Sequence, residues 1–519
     1  MARSYDIVVF GSGFAGSLIA MIARRLGYSV VLLERGKHPR ITIGESSTPL
    51  TNLLLEELAV RYDLPAIRPF AKWGSWQREY PQVACGLKRG FTFYHHQLGM
   101  PDAPDANRSH QLLVAASPHD AIADTHWYRA DFDEFLVHEA QALGVEYIDE
   151  VEVTRFADDG NVITFDAARS GETQAYRASF AIDATGPHGL IHRALQLAEV
   201  PLPNYPATHA LYSHFSGVSR PQDHDATNPH EAPPYPPEDA AVHHVFDGGW
   251  IWVLRFNNGI TSAGVAATEA TSTSLNLHEG EAAWRRLLKL IPALEEQFST
   301  AQAVQPFRYM PQLSFLSSQV SGARWAMLPS AAGFVDPLLS TGFPLTLLGV
   351  SRLANVLSQG LNTPSLSSAL QQYATQTTEE LLATSRLIAS LYANMNNFPV
   401  FKSLSLLYFA AASYSETARR LNKPELAQSF LLHDHPVFGP ACRALIERAM
   451  QVAPGQESLR LQEDIFRTIE PFDVAGLSDR SRHSWYPVIA EDLLQSASKV
   501  DSTPAEIQSL LNRCGFYRS

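Results

Sequence analysis

Ile7-Val8-Val9-Phe10-Gly11-Ser12-Gly13-Phe14-Ala15-Gly16 is the stretch that decides the fold. Four apolar residues run into a glycine-rich turn, and a helical pattern follows through Arg25. A second apolar run, Ser29 to Leu33, ends at Glu34 and Arg35. Glycine-rich loops are common, but this one lies between a strand and a helix, with an acidic residue closing the next strand. That context marks a βαβ unit that binds a dinucleotide. Gly11 allows the tight turn, Gly13 lets the backbone approach a pyrophosphate, and Gly16 permits close packing of helix on strand. Phe14 and Ala15 open the helix, whose N-terminus favours phosphate. Glu34 is placed to accept hydrogen bonds from a ribose.

Four further segments follow in order. Gly44-Glu45-Ser46-Ser47-Thr48-Pro49 comes after the second strand, and Arg129-Ala130-Asp131-Phe132-Asp133 opens a helix that runs to about Leu143. Ala181-Ile182-Asp183-Ala184-Thr185-Gly186 reads as a strand ending in a glycine turn, and Ala331 to Gly342 leads into a long apolar helix. Over roughly residues 5 to 355 this set resembles the flavin-dependent halogenases and their relatives, the aromatic hydroxylases and geranylgeranyl reductases. The resemblance implies FAD, with Gly11, Gly13, Phe14, Ala15, Gly16, Glu34, Arg35, Glu45, Ser46, Arg129, Asp183, Gly186, Asp336 and Gly342 as its binding residues. It implies an α/β fold in which a Rossmann-type FAD-binding domain, residues 1–200 and 321–355, is interleaved with a mostly antiparallel substrate-domain sheet, residues 201–320. A helical C-terminal region, 356–519, completes it.

Three features separate the branches. Pro81-Gln82-Val83-Ala84-Cys85-Gly86-Leu87-Lys88 precedes Phe91 and Phe93. In the halogenases a lysine after such a segment stands between flavin and substrate. Reduced flavin and oxygen convert halide to hypohalous acid there, and an ammonium group can hold that acid or carry the halogen. Lys88 is the catalytic candidate on this resemblance; the alternative is an ordinary surface lysine. Gly249-Trp250-Ile251-Trp252-Val253-Leu254-Arg255 resembles the halogenases' Trp-x-Trp-x-Ile-Pro, with Leu254 and Arg255 replacing the last two residues. Alternation puts both tryptophans on one face of a strand, where core packing is an equal reading. Pro329-Ser330 stands where hydroxylases and reductases usually carry Gly-Asp. Ser340-Thr341-Gly342 matches the halogenase step near flavin and halide, which makes Thr341 and Gly342 the halide-binding candidates. Tryptophan halogenases place a glutamate just before this step, and Leu339 replaces it here. A substrate that supplies its own activation, a phenol or an electron-rich pyrrole, is therefore favoured over tryptophan.

The chain has 519 residues, 45% of them hydrophobic and 18% charged, a globular enzyme's profile rather than a disordered one. Its net charge of −13 argues against nucleic-acid binding, which needs clustered lysine and arginine. Cys85, Cys442 and Cys514 are widely separated and suggest neither a disulfide framework nor a zinc site, in keeping with a cytoplasmic location. The N-terminus lacks a signal-peptide pattern. The most apolar helical stretch, Leu404 to Ser413, falls short of the ~20 residues that span a bilayer.

Gln97 to His126 reads as a loop, and Pro221 to Ala240 reads as a mobile insert that packs no core and is a candidate lid. His95-His96 and His243-His244 make poor joint ligands, because neighbours on a strand point to opposite faces, so no metal is expected. Beyond residue 356, Ser367–Tyr392, Ser403–Leu421, Pro440–Gln451 and Pro504–Cys514 read as helices, suited to a cap over the substrate entrance or a homodimer contact. The expected activity is halogenation of an electron-rich aromatic, free or carrier-bound, with chloride or bromide as co-substrate and reduced FAD from a separate flavin reductase. A hydroxylase or ene reductase on the same scaffold, and a non-catalytic flavin-binding scaffold, are the alternatives.

Overall fold

Strand Arg3–Phe10 is buried on both faces at Ile7, Val8 and Val9, as an unbroken apolar run in a covered parallel sheet must be. In the computed structural model, which describes residues 2–101, 107–221 and 232–517, it pairs in parallel with Val30–Leu33 and with Glu172–Asp183. Glu146–Ile148 extends this sheet at one side, and Trp325–Met327 joins in parallel beside the end of Glu172–Asp183. An antiparallel meander, Glu152–Asp158 and Ile163–Arg169, grows from the other half of that long strand. Helix Phe14–Arg25 packs on helices Arg129–Ala142 and Gly342–Ser358. The expected first strand, helix and second strand are thus in place within a few residues.

The second sheet has nine strands. Thr208–Ser216, Ile260–Thr268, Gly249–Arg255 and Ala241–Phe246 are antiparallel neighbours, and Gly90–His95 then joins Ala241–Phe246 in parallel. Gln111–Ala115 and the short Trp485–Tyr486 extend it on one side, and Gln302–Ala303 and Arg308–Met310 pair with Thr208–Ser216 on the other. A separate two-stranded ladder pairs Cys85–Lys88 with Asp124–Trp127, Lys88 directly opposite Asp124.

Two loop expectations need correction. The stretch from Gln97 to His126 contains strand Gln111–Ala115 and most of Asp124–Trp127. Leu112, Leu113 and Val114 are buried on both faces of the sheet, so their short run shows no alternation to read. Residues 102–106 lie outside the described residues. In the proline-rich segment, 222–231 also lie outside them, but the remainder does pack. Tyr235 is buried against Leu113 and Ala240, and its hydroxyl donates to the Phe91 carbonyl at 2.6 Å. Proline needs no partner for an N–H, so one aromatic anchor among prolines suffices to hold such a turn-rich segment.

Beyond the flavin domain come Leu366–Tyr392, Phe398–Arg420, Phe438–Ala449 and Pro504–Cys514, with two further helices that the periodicity did not mark, Gln456–Ile469 and the short Ala490–Gln495. Among the described residues no helix is long and apolar enough to cross a membrane. Arg352 on helix Gly342–Ser358 meets Glu380 on the next helix through two bonds of 2.6 Å, and Glu380 also accepts from the Phe430 amide at 2.8 Å. Removing one member of a buried pair strands the other charge, at a cost of about 3–5 kcal/mol, whereas replacing both by apolar residues is often neutral. Glu380→Leu should therefore lower the urea unfolding midpoint sharply, and Arg352→Met combined with Glu380→Leu should recover most of the loss. A single variant as stable as the parent would show that this pair does not anchor the helix.

Candidate active site

The glycine turn is built as its spacing requires. Gly11 has φ +90°, and a Cβ on Gly16 would lie 1.9 Å from the Gly11 carbonyl oxygen. Around it the charges are already arranged. Glu34 Oε2 accepts from the amide and hydroxyl of Ser12 at 3.0 and 2.9 Å and meets Arg40 at 3.2 Å. Burial alone would raise its carboxyl; Arg40 and the amides of Gly36 and Ser12 outweigh this and hold it below the usual range. Arg35 is exposed, and it is Arg40 that reaches the carboxylate. Arg129 forks onto Asp133 at 2.8 and 2.7 Å and donates to the Gly44 carbonyl at 2.9 Å. One of its nitrogens lies 3.3 Å from where a Gly13 Cβ would be. Helix-start amides, an arginine and an open glycine face suit a pyrophosphate.

Asp183 is spent on its own turn, and Asp336 on its own loop and two tyrosines from other elements. Asp183 takes the amide and hydroxyl of Thr185 and the amide of Ile191, forming the turn that carries Gly186. Asp336 accepts from the Leu338 amide at 2.9 Å, from Tyr392 at 2.9 Å and from Tyr205 at 3.3 Å, and burial raises it to about 6. Trp250 donates to the Tyr392 hydroxyl at 3.2 Å, so the network ties strand Gly249–Arg255 to the loop before Gly342. In that loop Leu339 and Ser340 both adopt left-handed φ, +63° and +55°, and Thr341 returns to −70° as the helix starts. Successive amides in such a turn converge into a concavity that suits an anion.

These pieces enclose a cavity of about 100 Å³ lined by Glu45, Ser46, Trp250, Trp252, Ser340 and Gly342 among others. The two tryptophans are buried, as the packing reading has it, and both also line this space. No sequence signal pointed to the partner of Glu45, which is His214 from the second sheet, at 2.7 Å with both side chains buried. Arg255, where the motif would have proline, clamps the carbonyls of Val218 and Ser219 and the carboxylate of Glu238.

Lys88 is the central finding. It has no exposed surface. Its ammonium donates to the Ser46 hydroxyl at 2.8 Å and to the Ser47 carbonyl, and it lies 3.7 Å from the centroid of the Phe91 ring. Gly86 makes this possible, since a Cβ there would lie 2.0 Å from the Arg255 carbonyl oxygen. Ser46 lines the smaller cavity, whereas Phe91 and Asp124 line a larger one of about 180 Å³ under the C-terminal helices. Lys88 itself lines neither cavity; its partner Ser46 lines the smaller one and its neighbour Phe91 the larger. Burial pulls its ammonium well below the usual lysine range and pushes the Asp124 carboxyl well above the usual carboxylate range, while their opposite charges oppose both shifts. Of the histidine doublets, His96 and His244 meet each other at 2.9 Å. Among the described residues, the one cluster that brings three ligand atoms within 4.8 Å is His188, His192 and Glu199.

Comparison with known proteins agrees with this geometry. Residues 6–322 match the model of the family described as FAD dependent oxidoreductase. The chain belongs to that family. Within it, the chain is 29% identical over 430 residues to tetracycline 7-halogenase of Kitasatospora aureofaciens, covering 81% of this chain and 75% of that one. It is 26% identical over 354 residues to a 1H-pyrrole-2-carbonyl peptidyl-carrier-protein chlorinase of Pseudomonas fluorescens, covering 66% and 74%. The fold matches the crystal structure of halogenase PltM in complex with phloroglucinol and FAD, with TM-score 0.80, 22% identity and coverage of 92% and 99%. The resemblance to flavin-dependent halogenases stands.

The pyrophosphate turn generates a direct test. At Gly13 the nearest neighbours are arginine and carboxylate tips rather than backbone, so Gly13→Val should fold. It should lose FAD, because the side chain fills the approach that the phosphates need. Flavin absorbance after gel filtration, beside circular dichroism, separates the two effects; full flavin content in the variant would contradict the assignment.

Proposed function

We propose that this FAD-dependent oxidoreductase halogenates an electron-rich aromatic substrate, using reduced flavin, oxygen and chloride or bromide. The observation that carries the reading is Lys88, a fully buried ammonium whose partner Ser46 lines a chamber with Trp250, Trp252, Ser340 and Gly342, and whose neighbour Phe91 lines a larger, mostly apolar chamber. Bound FAD supplies the redox chemistry with oxygen. The chain's own groups divide the remaining work. Amides at the glycine turn, Glu34 and Arg129 hold the cofactor, and amides at Thr341 and Gly342 hold halide. Lys88 takes up hypohalous acid formed on its Ser46 side and presents the halogen to a ring on its Phe91 side. A phenol or pyrrole suits a site whose Leu339 offers no acid or base. The pyrrole chlorinase among the relatives acts, by its name, on a carrier-bound substrate, so a carrier-bound substrate remains within this proposal. Reduced flavin comes from a separate reductase.

Two outcomes test the reading. In a bromide assay at matched FAD occupancy, Lys88→Ala should lose brominated product by ~10² or more. Lys88→Arg should rescue poorly, since guanidinium has another shape and does not deprotonate. Equal product from all three proteins would remove Lys88 from the mechanism, and a hydroxylated product independent of halide would overturn the activity. In stopped-flow, NADPH alone should reduce the bound FAD slowly, with turnover appearing when a flavin reductase is added; rapid direct reduction would favour a hydroxylase.

A further inference from the structure

We propose that Asp124 is the group that accepts the proton of the substrate's ring hydroxyl, which makes a phenol the substrate class; this rests on the halogenase reading above. Asp124 lies directly opposite Lys88 in the two-stranded ladder. Directly opposed residues on such a pair point to the same face, so the carboxylate and the ammonium share one side. Asp124 lines the larger chamber, whose walls are otherwise mostly apolar, with Leu50, Phe91, Val114 and Phe409 among them.

Hydrogen bonding singles this carboxylate out. Asp124 is 5% exposed, its Oδ1 is fixed by the Asn52 amide at 2.7 Å, and its Oδ2 has no hydrogen-bond partner. A buried polar atom left unpaired is rare and calls for a ligand, a water or a function. The chamber's other carboxylate, Glu416, is engaged with Arg420 at 2.7 Å. Leu339 is apolar and offers no acceptor. The charged and titratable groups acting on Asp124 are Lys88 across the ladder and Glu416, Arg420 and Tyr408 from helix Phe398–Arg420. The net effect of burial is a carboxyl raised toward neutrality, where a general base works best.

The step balances. A ring π pair, reinforced from the hydroxyl oxygen, forms the carbon–halogen bond as the halogen–oxygen bond of hypohalous acid breaks. Hydroxide leaves beside the Lys88 ammonium, and the hydroxyl proton passes to Asp124 Oδ2, giving a halogenated dienone. Hydroxide then takes the ring proton to become water, and Asp124 returns its proton to the oxygen as aromaticity is restored.

The test uses the FAD-loaded full chain with a flavin reductase and bromide, on phenol, resorcinol, 3,5-difluorophenol, anisole, pyrrole and indole. Wild type should prefer phenol to anisole by ~10² or more, a comparison that needs no variant. Asp124→Asn, which keeps the Asn52 contact, should lower kcat/KM for phenol at neutral pH by ~10² when normalised to FAD content. The ratio of wild type to variant should shrink to under ~10 with 3,5-difluorophenol, or as pH rises through the phenol's own range, because the substrate then arrives ionised. A loss equal across all phenols and pH values would assign Asp124 a structural role and overturn the proposal. So would a wild type that brominates pyrrole or indole but no phenol, which leaves the halogenase reading intact. Absence of any brominated product from wild type would sink both.

Discussion

An ammonium with no exposed surface must be held by protein groups alone, and Lys88 imposes that condition on everything around it. The effective cost of desolvating such an ion is several kcal/mol, recovered only through well-placed partners. Three elements supply them. The loop after the second flavin-domain strand gives Ser46 and Ser47, the first strand of the second sheet gives the Phe91 ring, and the opposed strand of the ladder gives the charge of Asp124. The flavin loop, the large sheet and the ladder are therefore locked together at one atom. Moving any of them would leave a buried charge without its shell.

The legible parts of the sequence were those whose signal is local. Gly11, Gly13 and Gly16 announce the turn because their spacing is set by backbone geometry, and the structure has Gly11 in the left-handed turn with Gly16 packed against its carbonyl. The long helices were legible from periodicity within a residue or a few. The invisible parts arise from pairing at a distance. Asp124 fell in a stretch that reads as loop, because its strand is four residues long and needs Cys85–Lys88 beside it to exist. His214 and Glu45 come from different sheets and loops, and nothing in either neighbourhood names the other. Arg40 was hidden for a similar reason: Arg35 is nearer to Glu34 in sequence, but the intervening turn brings back the later arginine. Tyr235 shows the reverse error, where a proline-rich composition masked a single buried anchor.

The turn before helix Gly342–Ser358 illustrates how backbone strain is stored. Two consecutive non-glycine residues, Leu339 and Ser340, take left-handed conformations that commonly cost of order 1–3 kcal/mol each. Such a shape persists only if the surroundings over-determine it. Leu339 is fully buried, and Asp336 pins the start of the loop to Tyr392, Tyr205 and its own Leu338 amide. The C-terminal helix that carries Tyr392 thus supports the same turn from outside the flavin domain, which gives that region a part in the site beyond forming a roof.

Register links the two halves of the chemistry. Because strand side chains alternate, a slip of one residue would send Lys88 to the opposite face of its ladder and leave Asp124 alone with the larger chamber. Opposed charges on neighbouring strands ordinarily collapse into a contact pair that neutralises both. Here each is held back by its own neighbours, Lys88 by Ser46 and Ser47 and Asp124 by Asn52, so each faces a different chamber-lining group. One short ladder therefore fixes an ammonium and a carboxylate in mutual register, each tied to its own partners. An aromatic ring in the larger chamber would lie against Asp124 and the Phe91 ring beside Lys88, and the edge it presents there is the physical basis on which such a site would choose one carbon over another.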